Sequence, residues 1–137
     1  MTGYVDTSVV LRVLLRQRGA LRGWDGWDVV CASEFLKVEA RRVLDRLRLD
    51  AILDDERLAE AHDELVRIEA SIAFISLTPI VLERASAPMP TVVKTLDAVH
   101  LISAVLYRES DAGDMTFISH DAQQTTAARA LGFRCVG

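Results

Sequence analysis

Gly3-Tyr4-Val5-Asp6-Thr7-Ser8-Val9-Val10 is the stretch on which the reading of the chain turns. A short apolar run ends on a lone carboxylate, Asp6. Two hydroxyl residues follow, and an apolar-periodic segment from Val9 to Leu15 begins at once. A buried strand, a tight turn and a helix start are packed together, as at the opening of a βα unit. In an open parallel sheet, ligands bind in the crevice outside the carboxyl ends of the strands, and Asp6 stands at such an end. An Asp or Ser before a helix is also the commonest N-cap, so this stretch alone supports a cap and a site alike.

Outward from this unit the pattern repeats. Gly19, Gly23 and Gly26 mark a loop around Trp24 and Trp27. Val29 to Ala32 reads as a second strand, Ser33 as an N-cap, and Glu34 to about Leu49 as a helix. Asp50 to Asp55 is a break. A second helical stretch carries Leu58, Ala61, Leu65, Ile68 and Ile72 at steps of three and four, a stripe suited to core or to a packing surface. Ala73 to Leu77 reads as a third strand, and Pro79 opens a short helix to about Ala87. Pro88 and Pro90 interrupt the chain. Thr95 to about Glu109 is a helix and Ser110 to Asp114 a loop. Met115 to Ser119 is a fourth strand, Asp121 to Leu131 a helix stopped by Gly132, and Phe133 to Val136 a fifth strand. Strands alternate with helices throughout, which defines an α/β domain with a mainly parallel sheet of four to five strands.

The totals are consistent with this. A chain of 137 residues with half its residues hydrophobic is expected to form a single domain over 1–137 with a core of its own. No apolar run approaches the roughly 18 residues of a membrane span. Asp6 interrupts the N-terminal apolar stretch where a signal segment would need continuity, so a cytoplasmic protein is expected. A net charge of −4 argues against a protein that merely coats nucleic acid. Locally, however, arginines cluster at Arg12, Arg16, Arg18 and Arg22 and again at Arg41, Arg42, Arg46 and Arg48. Solvated helix faces and phosphate contacts are both open for them. Cys31 and Cys135 lie in apolar strand-like runs and read as two buried, reduced thiols.

The carboxylates carry the chemistry. On a helical wheel, Glu39 falls within the apolar arc of Phe35, Leu36, Ala40, Val43, Leu44 and Leu47. A carboxylate there is costly unless paired or bound to a metal. The alternative is an edge position with an i,i+3 pair to Arg42. Asp97 opens an almost wholly apolar helix, where the macrodipole alone favours an anion, and Thr95 could cap that helix. Asp121 and Gln124 form a capping-box pattern. Taken together, Asp6 and Asp121 follow strands directly while Glu39 and Asp97 lie near helix starts, so all four can meet at one sheet edge. Mutual repulsion there calls for a counter-ion, and all-oxygen donors point to Mg²⁺ or Mn²⁺. Two such ions about 4 Å apart suit phosphodiester hydrolysis, one activating water and one stabilising the leaving oxygen.

With these residues in hand, the chain resembles the PIN-domain ribonucleases of the VapC toxin type. Four signatures occur in order: Tyr4-Val5-Asp6-Thr7-Ser8-Val9; Ser33 with Glu39 six residues on; Leu96-Asp97-Ala98-Val99-His100-Leu101; and Phe117-Ile118-Ser119-His120-Asp121, continuing to Ala127-Ala128-Arg129 and Leu131-Gly132-Phe133. The resemblance implies a three-layer α/β/α fold with strand order 3-2-1-4-5. It implies a Mg²⁺- or Mn²⁺-dependent toxin endoribonuclease, neutralised by a cognate VapB-like antitoxin. Asp6 and Asp97 would be the metal ligands, with Glu39 and Asp121 acting directly or through water. Ser8 matches the hydroxyl that orients the first Asp, and Ser119 takes a place often held by Thr. Thr7 and Ser8 would cap the first helix. His100 matches a residue expected to serve packing, and His120 fills a variable position with no catalytic role. The implied strand order puts two strands, about 14 Å, between Cys31 and Cys135, beyond disulfide reach.

Two other classes compete. A receiver-type phospho-acceptor domain needs an acidic pair after the first strand and an Asp after the third; here stand a single Asp and Ser76-Leu77-Thr78-Pro79. A non-cleaving PIN-like module that binds RNA or protein is opposed by the intact acids. Arg12, Arg16, Arg42 and Arg46 are candidate RNA-phosphate contacts. A homodimer is expected from the resemblance and from the stripe Leu58 to Ile72, which serves equally well as intramolecular core.

Overall fold

Tyr4 and Val5 are adjacent, fully buried and on opposite sides of a sheet, which requires helices on both faces. The computed structural model of the chain describes residues 1–21, 26–111 and 113–137. Gly23, Trp24 and Arg22 of the expected loop and arginine segment lie outside the described residues. The elements run β1 (Thr2–Val5), α1 (Thr7–Leu14), β2 (Val29–Ser33), α2 (Phe35–Leu49), α3 (Asp55–Glu69), β3 (Ala73–Ile75), α4 (Pro79–Ala85), α5 (Thr95–Asp111), β4 (Met115–Ile118), α6 (Ala122–Ala130) and β5 (Arg134–Val136). The five strands form one parallel sheet in the order β3-β2-β1-β4-β5.

On one face Val5, Val30, Ala32 and Ile118 pack against Val9, Leu14, Leu36, Ala40 and Leu44 of α1 and α2, and against α3. Ala61, Leu65, Ile68 and Ile72 are buried in this core. Leu58, Ala61, Leu65 and Ile68 of α3 are therefore spent inside the molecule, and Ile72, expected on the same helix face, lies past the end of α3 and joins the same core; the stripe lends no support to a dimer. On the other face Tyr4, Cys31 and Phe117 pack against Leu101 and Ala104 of α5 and Ala127 and Ala128 of α6. The Tyr4 and Phe117 rings stack at 5.1 Å between centroids. Val81 of α4 seals against Val99 and Ile102. Gly3 lets neighbours close in: a Cβ there would stand 3.0 Å from the Trp27 ring and from Ile118, so both side chains would have to give way. Gly132 takes φ +87° just past α6, the left-handed stop that its position implies.

Several local expectations shift. Asp6 itself is the N-cap of α1, accepting from the Val9 N–H at 3.4 Å, whereas Thr7 and Ser8 lie inside the helix and do not cap it. Ser33 belongs to β2, although its hydroxyl accepts the Phe35 N–H at 3.2 Å. Thr95 is the first residue of α5 rather than the residue before it. Cys31 is buried and Cys135 only partly so; neither forms a disulfide, the two lying on β2 and β5 with β1 and β4 between.

The chain reverses direction across the sheet at β1. From there it winds outward to β2 and β3, then returns to place β4 and β5 on the other side. The crevice outside the carboxyl ends of β1 and β4 is thus the topological switch point, the place where such sheets bind ligands. Among the described residues no helix is long and apolar enough to cross a membrane.

Candidate functional site

At that switch point a cavity of about 190 Å³ is lined by Asp6, Thr7, Ser8, Glu39, Asp97 and Asp121, together with His100, Gln124, Leu11 and Val43. The four acids singled out from the sequence therefore come from four segments to one place. Asp6 follows β1, Glu39 lies on α2, Asp97 on the first turn of α5, and Asp121 caps α6 after β4.

Asp6 is 2% exposed and held on every side. Ser8 Oγ donates to Oδ1 and Ser119 Oγ to Oδ2, each at 2.5 Å. Each serine also accepts a backbone N–H from the turn after β4, Ser8 from His120 and Ser119 from Asp121, both at 3.0 Å. The two hydroxyls thus stitch the β1–α1 turn to the β4–α6 turn through the two oxygens of one carboxylate. Burial raises the Asp6 carboxyl above its ordinary range, opposed by the two serine hydrogen bonds. Asp97 is raised as well, first by burial and then by the charge of Asp121, with smaller pressure from Asp6 and Glu39. Carboxyls that resist ionising, chiefly through burial and at Asp97 also through neighbouring acids, are electrostatically suited to a cation.

Gln124 is buried, and turning its amide nitrogen toward the carboxylates exchanges a long contact with the Asp97 backbone carbonyl at 3.4 Å for two carboxylate acceptors. In that orientation it donates to Asp6 Oδ2 at 2.7 Å and to Asp97 Oδ1 at 3.2 Å. The capping-box expectation is corrected here. The Gln124 backbone N–H does bond Asp121 Oδ1, at 2.9 Å, but its side chain does not return to the Asp121 N–H, which Ser119 takes instead. The side chain bridges two acids of the cavity.

Glu39 is not paired with Arg42, which bonds Asp45 instead at 3.2 Å. Its Oε1 accepts from Thr7 Oγ1 at 2.8 Å and meets His100 Nε2. His100 is 1% exposed, and its Nδ1 lies 2.9 Å from Tyr4 Oη, which accepts the Ser33 N–H at 3.1 Å. Burial holds the Tyr4 hydroxyl well above its usual pKa, so it keeps its proton. The expectation that His100 merely packs is therefore corrected: it lines the cavity and contacts a site carboxylate.

Sequence reasoning missed Tyr4, His100 and Gln124 as parts of the site. Each left a signal, a polar tip on an otherwise apolar buried face. Gln124 shares its helix face with Ala127 and Ala128, and His100 is set among Leu101, Ala104 and Val105.

The arginines separate. Arg12 lines two clefts that adjoin the acidic cavity, one with Ser8, Leu11 and His120, the other with Ser119, His120, Thr125 and Arg129. In that neighbourhood the His120 ring loses basicity, through burial first and then through Arg12, and its Nε2 has no hydrogen-bond partner among the described residues. Arg16 faces Glu60 at 3.4 Å. Arg42 and Arg46 line a separate cleft with Val43 and Leu47.

Among the described residues, no three His, Cys, Asp or Glu side chains are grouped closely enough to hold a metal directly. That arrangement still fits Mg²⁺, which dehydrates reluctantly and is usually held by one or two carboxylates with water or phosphate filling the rest of its shell.

Fold and site together define an α/β protein with an acidic cavity at its switch point. The PIN domain family model matches residues 3–130, and the chain belongs to that family. Its fold is generally that of a metal-dependent nuclease. No curated protein gives a significant match to the chain.

Proposed function

We propose that the protein is a Mg²⁺- or Mn²⁺-dependent endoribonuclease of the VapC toxin type, acting in the cytoplasm with residues 1–137 as one PIN domain. The observation that carries this reading is the meeting of Asp6, Glu39, Asp97 and Asp121 around one cavity at the switch point. Asp6 and Asp97, joined through Gln124, are the proposed metal ligands, with Glu39 and Asp121 reaching the ion directly or through water. A divalent cation bound there supplies charge neutralisation for a phosphodiester and acidity for water. The chain's own residues do the rest. Ser8 and Ser119 hold Asp6 in one rotamer, and Thr7 and His100 hold Glu39. Leu11 and Val43 wall the cavity with apolar surface that strengthens its electrostatics.

RNA would enter along the two clefts lined by Arg12, the second of them also by Arg129, whose guanidinium groups carry positive charge up to the acidic edge. Arg12 is the proposed phosphate contact. Arg16, Arg42 and Arg46 are less suited, the first two engaged with acids and the third in a separate cleft. The toxin role, neutralisation by a VapB-like antitoxin and a homodimer rest on the resemblance of the four motifs. The deciding experiment maps RNA ends after expressing wild type and Asp6→Asn, and assays both purified proteins with and without chelator. New ends present only with wild type, and lost with chelator, support the reading. Equal cleavage by Asp6→Asn overturns it.

A further inference from the structure

We infer that Tyr4 and His100 are positioning residues for Glu39: the tyrosine locks the imidazole as a donor to one carboxylate oxygen and leaves the other for the cavity. This inference rests on the nuclease reading for its functional consequence and on hydrogen-bond geometry alone for its structural half.

The proton inventory fixes the relay. Tyr4 Oη accepts the Ser33 backbone N–H at 3.1 Å, and the acceptor that faces the hydroxyl's own proton is His100 Nδ1 at 2.9 Å. Nδ1 must then be the bare nitrogen of the ring, and the ring proton sits on Nε2. Nε2 meets Glu39 Oε1 and lies 3.4 Å from Thr7 Oγ1. Thr7 Oγ1 donates to the same Oε1 at 2.8 Å. In this tautomer every proton of the chain Ser33–Tyr4–His100–Glu39 has an acceptor. In the opposite tautomer the ring would turn a bare nitrogen toward a carboxylate and leave the Tyr4 proton stranded in a fully buried site.

Glu39 Oε1 thus receives two donors, one from α1 and one from α5, while Oε2 has no partner among the described residues. A glutamate on α2 has several rotamers open to it. The relay selects one, with one oxygen tied to the interior and one free where Glu39 lines the cavity. The ring nitrogen facing the acid is set by the bond made at the other nitrogen, as for outer-shell partners of metal ligands.

The test begins with metal-free protein carrying ¹⁵N-labelled histidine. Long-range ¹H–¹⁵N spectra should show His100 with Nδ1 unprotonated and Nε2 protonated. Because Glu39 by itself also favours a proton on Nε2, the tyrosine is read in a Glu39→Gln background, where His100 should keep Nε2–H and where adding Tyr4→Phe should mix the two tautomers while the amide spectrum stays folded. A proton on Nδ1 in wild type, or an unchanged pure Nε2–H tautomer in the Tyr4→Phe/Glu39→Gln double variant, overturns the lock. Mn²⁺ affinity, read by electron paramagnetic resonance, should fall about 10- to 100-fold in His100→Leu, the usual effect of removing an outer-shell partner. His100→Gln, whose amide can still donate to Glu39, should recover most of that loss. Equal weakening by the leucine and glutamine variants, or full affinity in both, overturns the positioning role. If wild type shows the expected tautomer but neither binds Mn²⁺ nor cuts RNA, the nuclease reading fails and the anchoring of Glu39 stands.

Discussion

Ser119→Ala removes one hydroxyl that closes two hydrogen bonds. It deletes the donor to Asp6 Oδ2 at 2.5 Å and the acceptor of the Asp121 N–H at 3.0 Å, at a residue only 3% exposed. A hydrogen bond to a charged group contributes about 1.5–3 kcal/mol, and a buried donor without an acceptor costs about 1–3 kcal/mol. The two losses do not add in full, because Gln124 still donates to Asp6 Oδ2 and the Asp121 N–H is only partly buried. The expected cost is about 2–3 kcal/mol, or roughly 10 °C in Tm for a chain of this size. Ser8→Ala, at a partly buried position, should cost about 1 kcal/mol. The assay is thermal and urea unfolding of metal-free protein in chelator, with a double-mutant cycle against Asp6→Asn. If the serine serves the carboxylate, its loss should cost at least about 1 kcal/mol less in the Asn background. A Ser119→Ala variant within about 0.5 kcal/mol of wild type, or a cycle without coupling, refutes the account of the two stitched turns.

Asp6→Asn and Asp97→Asn should each abolish cleavage while keeping the wild-type circular dichroism spectrum; undiminished cleavage by either rejects its proposed role. Both carboxyls titrate above the ordinary Asp range in the folded chain, chiefly through burial. Each therefore favours folding fully below about pH 4, the unfolded value, and loses that contribution as pH rises through its folded value. Metal-free Asp97→Asn should accordingly gain stability relative to wild type between about pH 4 and 7, measured as the difference in urea midpoint; a constant difference across that range contradicts the argument. Mg²⁺ or Mn²⁺ at about 100 times its dissociation constant should stabilise wild type by about 2.7 kcal/mol and should do far less for Asp6→Asn. Differential scanning fluorimetry reads this, and equal shifts in the two proteins reject Asp6 as a ligand. Arg12→Ala should lower the salt slope of RNA binding by about 0.7, with no such change for Arg42→Ala; identical slopes in anisotropy titrations reject the assignment of Arg12.

Strand and helix periods are local properties, which is why the alternation of elements was legible without a structure. Val29-Val30-Cys31-Ala32 reads as a buried strand, and Leu58, Ala61, Leu65, Ile68 and Ile72 read as one helix face, from spacing alone. The destination of that face was not legible, because an apolar stripe is equally good against a sister helix and against a partner; packing against α1 and α2 decides it. The roles of hydroxyls were likewise ambiguous. Ser, Thr and Asp all cap helices, so only geometry shows that Asp6 caps α1 while Thr7 turns to Glu39 and Ser8 to Asp6.

The sequence by itself determined that Asp6 stands at a strand end, that Glu39 sits on an apolar helix face and that Asp97 and Asp121 open helices. These follow from residue type and short-range spacing. Tertiary structure decided which donors those acids meet. Tyr4 and His100 are 96 positions apart, and Ser119 and Asp6 are 113 apart, yet each pair is in hydrogen-bond contact. Strand order makes those meetings: β4 lies against β1, and α5 covers the face of the sheet that Tyr4 presents. A buried polar group needs a partner wherever the fold can supply one. The fold supplies it here from segments that no window along the chain contains.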